Sequence, residues 1–75
     1  MKNVGFYCTM QRGQKVAWLA GPFPDYDAAE ARVPEARNAA MDVDPWAAFD
    51  LFGVTRLSRE SGELPKGRLN EMLAI

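Results

Sequence analysis

The 75-residue chain reads as a small α+β domain: a three-stranded antiparallel sheet, made of a β-hairpin and a third strand, packed against one kinked helix and a short second helix in ββααβ order. Three observations predict this. Apolar residues alternate on both sides of a glycine near the N-terminus, as in a hairpin. An alanine and valine stripe at spacings of three and four follows, as in a helix. An Asp-Pro restart then leads through an aromatic run and a glycine to a last β-prone segment.

In the first segment, Asn3 to Met10, the residues Val4, Phe6, Cys8 and Met10 alternate with Gly5, Tyr7 and Thr9. Gln11-Arg12-Gly13-Gln14 is a polar turn, and Lys15 to Ala20 is the returning strand. A two-residue turn at Arg12-Gly13 sets Tyr7 against Trp18 and Thr9 against Val16, with Phe6–Leu19 and Cys8–Ala17 on the other side. A three-residue turn would set Cys8 against Trp18. The first register is preferred because it separates aliphatic from aromatic pairs. Gly21-Pro22-Phe23-Pro24 ends the strand, since neither proline can donate to a ladder.

Asp25 is placed to cap a helix whose apolar stripe is Tyr26, Ala29, Val33, Ala36, Ala40 and Val43. The stripe keeps its phase across Pro34, so one kinked helix is expected. Glu35 and Asp42 fall opposite the stripe and Asp27 on its shoulder, so these acids point outward. Asp44-Pro45 is a second start signal, with Trp46 to Phe52 as a short helix and Gly53 as its stop. Val54 to Leu57 is the third strand, fitting beside the first in order 2-1-3 and leaving two edge strands. Ser58 to Pro65 is a polar loop, and Gly67 to Leu73 offers a helical turn or two presenting Leu69, Met72 and Leu73. Residues 1–75 thus form one domain, with 58–75 as its loop-and-turn C-terminal part.

Composition narrows the chemistry. Nearly half the residues are apolar (48%) and 11% are aromatic, which is the make-up of a folded globule rather than a disordered chain. One cysteine leaves no internal disulfide, so a reducing, cytoplasmic setting is expected. The apolar runs are too short to cross a membrane, and the N-terminus lacks the apolar core of a signal peptide. With no histidine, the usual general base is missing, and so are Ser-His and Cys-His pairs. Cys8 has no basic neighbour in sequence and reads as a small core residue. Asp25 and Asp44 are accounted for as caps, which leaves the pairs Asp25/Asp27 and Asp42/Asp44 one member short for acid–base work. Asp42-Val43-Asp44 lacks the glycine and distal glutamate of a calcium loop. No catalytic residue, metal or cofactor is expected.

The total charge of −1 hides a segregated layout. Asp25 to Asp50 holds seven carboxylates against Arg32 and Arg37, whereas the first 24 residues hold Lys2, Arg12 and Lys15 and no acid. An acidic helix face carrying Asp27, Glu30, Glu35 and Asp42 is one candidate contact surface. An aromatic or edge-strand patch at Tyr7 and Trp18 is its expected companion. Together they suit a protein partner or ribonucleoprotein complex. The competing expectation is a nucleic-acid module, with Tyr7 and Trp18 stacking bases and Arg12 and Lys15 on phosphates. A third is a homodimer through an edge strand and the Leu69/Met72 end.

Two stretches carry likenesses. Trp18-Leu19-Ala20-Gly21-Pro22-Phe23 with the alanine-rich Asp27 to Ala31 resembles the strand–turn–helix of sporulation-related peptidoglycan-binding repeats, but the second αβ half of those repeats has no counterpart here. A longer likeness spans Val16 to Leu57, with Gly67-Arg68-Leu69-Asn70 beyond it. The run WLAGPF, the alanine-rich helix and DPWAAFDLFG resemble small proteins carried by phages and prophages of proteobacteria. That resemblance implies a non-enzymatic accessory protein that binds and inhibits a host macromolecular complex, an anti-CRISPR protein being its most concrete form.

Overall fold

In the computed structural model, which describes residues 3–75, the hairpin joins β1 (Asn3–Arg12) to β2 (Lys15–Phe23) through Gly13-Gln14. Arg12 pairs with Lys15, Met10 with Ala17 and Thr9 with Trp18, so the turn lies one residue later than expected and neither expected register forms. The reason is local: Gly13 has φ +60°, and the first central position of a type II′ turn is where a glycine fits best. The register then shifts twice, to Cys8–Ala20 and Phe6–Phe23. These irregularities let β2 run through Gly21-Pro22 to Phe23 instead of ending at Ala20. Pro22 is tolerated because it falls in the bulged stretch of an edge strand. They also leave the adjacent Leu19 and Ala20 both buried.

Asp25 caps α1 (Tyr26–Val43), its side chain accepting the Ala28 N–H at 2.8 Å. The helix continues through Pro34, which lies on the exposed side. Its buried residues are Ala29, Ala36, Ala39 and Ala40, and such small side chains let the helix lie close on the sheet. Tyr26 and Val43, the ends of the expected stripe, are exposed, and Ala39 is buried in addition.

The expected second helix is a five-residue 3-10 helix, Pro45–Phe49, and β3 (Leu51–Arg59) begins before Val54. Gly53 does not stop a helix but pairs with Thr9 inside β3. Because β1 runs on to Arg12, Gln11 and Met10 are available to pair Leu51 and Phe52. A ladder and partial burial of Phe52 on the core replace further helical turns in which only Ala47 reaches the interior. The sheet order is β2-β1-β3, antiparallel throughout, and the architecture is α+β.

Cys8, Leu19, Ala20 and Phe23 meet the helix alanines in the main core. The other sheet face is covered differently. Tyr7 is fully buried there, edge-on to Trp18 at 5.1 Å, with its hydroxyl donating to the Pro65 carbonyl. After Pro65 the chain crosses the outer edge of β2 as a strap. The N–H groups of Gly67, Arg68 and Leu69 donate to the carbonyls of Gly21, Trp18 and Leu19. Asn70 accepts the Gly21 N–H and donates to the Gly21 carbonyl. A methyl group at Gly67 would stand 2.5 Å from the Ala20 Cα, so only glycine allows this approach. Leu69 and Leu73 then pack on the main core, whereas Met72 is exposed. No described helix is long and apolar enough to cross a membrane.

Candidate functional site

The most exposed apolar side chains lie where α1 gives way to β3. Asp44 closes α1, its N–H donating to the Ala40 carbonyl at 2.8 Å. Its carboxylate accepts the Trp46 N–H at 3.1 Å, and Pro45 fits the first position of the new turn. A 3-10 helix has three residues per turn, so positions i and i+3 eclipse. Trp46 and Phe49 therefore share a side, their ring centroids 5.9 Å apart, while Ala47 points into the core. Trp46 is 71% exposed and Phe49 80%, and the flanking Val43 and Leu51 are exposed as well.

Arg12 staples this turn from the tip of the hairpin. Its Nε lies 3.0 Å from both Asp50 oxygens, and its Nη2 reaches Asp50 at 2.8 Å and Asp44 at 3.0 Å. Two carboxylates bonded to one guanidinium raise the Arg12 pKa, those of Asp50 most. The bond from Arg12, with the Trp46 N–H second, holds the Asp44 carboxyl below its ordinary value. Both ends of the aromatic turn are thus fixed within the chain itself.

The four helix acids, Asp27, Glu30, Glu35 and Asp42, are all exposed. Asp27 lies in the first turn, where it complements the helix dipole. Asp42 lies in the last turn, which holds no basic residue, and there the dipole opposes it. Its placement does not help the helix. Glu35 bonds Arg32 at 2.8 Å, a surface pair that adds little stability.

The structure redistributes the other expected contacts. Tyr7 is fully buried beneath Pro65, which corrects its expected place in an aromatic contact patch and as a base-stacking platform. Trp18 is half-buried against it. Arg12 is exposed but bonded to Asp44 and Asp50, and Lys15 is exposed. The sequence pattern places Trp46 and Phe49 on a helix and does not by itself show that both rings are exposed. The available signal was Ala47-Ala48 between them: a segment whose inward residue is alanine leaves its large side chains nowhere to go but out.

Cys8 is buried, and its thiol donates to the Ala29 carbonyl at 3.0 Å. Burial pushes its pKa up to about 11. The thiol is a protonated packing group rather than a nucleophile. Among the described residues, no three His, Cys, Asp or Glu side chains are grouped to hold a metal ion.

Comparison with protein-family models, with curated proteins and with solved structures finds no match. The chemistry of the surface itself is therefore the basis for a function.

Proposed function

We propose that the protein is a non-enzymatic binding module that docks on a partner protein through Trp46 and Phe49, with the acids of α1 beside them. The observation that carries this reading is the exposure of two neighbouring aromatic rings on a turn stapled at both ends. Large apolar side chains held out in water are characteristic of interface anchors, and aromatic residues dominate interface energetics. The partner's complementary surface is an apolar pocket rimmed by lysine or arginine, because Asp42, Glu35 and Asp27 line the helix leading to the anchor. Asp27 and Asp42 are separated by roughly 22 Å along the helix axis. A phage or prophage accessory protein that inhibits a host macromolecular complex, an anti-CRISPR protein among them, would use such a surface to block its target.

The test is affinity capture from bacterial host lysate with wild type and with Trp46→Ala/Phe49→Ala, followed by calorimetry on the purified partner. Both rings are exposed, so the double variant should keep its stability to within about 1 kcal/mol. The partner should be retained by wild type and lost by that variant, and Asp42→Lys should weaken it in a salt-dependent way. Retention by wild type and variant alike, or by neither, sinks the proposal.

A further inference from the structure

The outer edge of β2 carries a second surface of opposite charge. Before the strap reaches Trp18, that edge is flanked by two hollows of about 420 Å³ and 380 Å³. They share Val16, Ala17 and Arg68 and so adjoin across the strand edge, one on the Met10 side and one on the Trp18 side, as two halves of a trough that crosses it. Lys15 lies at one end, Lys66 at the other and Arg68 between them, with the Trp18 indole as part of the wall. No carboxylate lines the trough. Arg12 also borders it but is spent on Asp44 and Asp50. Lys15, Lys66 and Arg68 make no ion pair with any described residue.

We propose that this trough binds single-stranded nucleic acid, with backbone phosphates at Lys15, Arg68 and Lys66 and a base against Trp18 and Val16. Three unpaired cations along a channel supply the sequence-independent attraction to a phosphate chain. An indole and an exposed valine between them supply the apolar platform on which a base, of any identity, stacks. An acidic peptide would satisfy the cations but leave that platform unused, so the nucleic-acid strand is the better fit. The duplex is a poorer one, because its bases are already stacked on each other. Apart from Arg12, which borders the trough and staples the anchor turn, the two surfaces have no residue in common, and this one stands or falls separately from the Trp46/Phe49 anchor.

The test uses fluorescence anisotropy of labelled oligothymidylate and oligouridylate with the intact protein. Three neutralised phosphates give a salt slope of about −2, so affinity should fall about 100-fold between about 20 mM and about 200 mM salt. Lys66→Glu/Arg68→Glu and, separately, Lys15→Glu should each weaken binding at least about 10-fold. All three side chains are exposed, and the strap's bonds from Arg68 are made by its backbone, so the variants keep the fold. In a Trp46→Phe background Trp18 is the only tryptophan left, and its fluorescence should be quenched as the strand binds. No binding at the lower salt, binding indifferent to these charge reversals, or an unquenched Trp18 each overturns the proposal. Displacement of the oligonucleotide by polyglutamate at equal charge would also overturn it, in favour of an acidic protein segment.

Discussion

Asn70 does with a side chain what a neighbouring strand would do with its backbone. Its amide both accepts from the Gly21 N–H and donates to the Gly21 carbonyl, and Asn70 itself is buried. Asn70→Ala leaves the buried Gly21 N–H without a partner, while the Gly21 carbonyl keeps only the bond from the Gly67 N–H, so unfolding free energy should drop by about 1–3 kcal/mol, read from the urea midpoint at unchanged slope. Cys8 makes a different residue-scale prediction. Its thiol, raised from 9.0 to about 11 mainly by burial, keeps its proton in the folded state where the unfolded chain has lost it. Its contribution to stability is thus complete below the unfolded thiol's pKa and is lost as pH rises through about 11. Cys8→Ala should flatten that alkaline decline, and the native thiol should react with iodoacetamide at neutral pH only as fast as the protein opens. The burial of Cys8 and the caps Asp25 and Asp44 were legible in sequence because each depends on near neighbours. Tyr7 was not, since what covers it is Pro65, 58 residues away.

At the scale of elements, existence was easier to read than extent. The hairpin, the long helix and the third strand all follow from period and punctuation, and the strand order 2-1-3, with the third strand antiparallel beside the first, is the one that forms. The hairpin register was not, because residue pairing by type competes with turn geometry, and Gly13 at positive φ decides it. The run Trp46 to Phe52 is ambiguous for a similar reason. Its spacing suits a helix, but β1 extends far enough to claim Leu51 and Phe52 as strand. The strap is the element least visible in sequence, since its turns carry little periodicity and its bonds are made by backbone N–H groups. Gly67→Ala tests it directly. The added methyl collides with Ala20 backbone rather than with a yielding side chain, so a loss of about 1–3 kcal/mol is expected in chemical denaturation.

Across the whole molecule, acids gather on the outward side of α1 while unpaired cations border the outer edge of β2. The candidate anchor was only half legible: the acidic helix showed in the charge pattern, but which aromatics stand beside it depends on packing that pairs distant segments. The strap has one more consequence, for how copies of the chain meet. A sheet with two bare margins is a monomer for polymerisation, since each copy can add one neighbour on either side. Here β2 has its margin closed over Trp18 to Gly21, and among the described residues only β3 offers its full nine-residue length. Edge-to-edge growth is therefore self-terminating: two copies joined at β3 have no long margin left to recruit a third. Gly67→Ala, by lifting the strap, should convert that limit into open-ended assembly, seen as light scattering that rises with concentration where wild type stays at one or two copies.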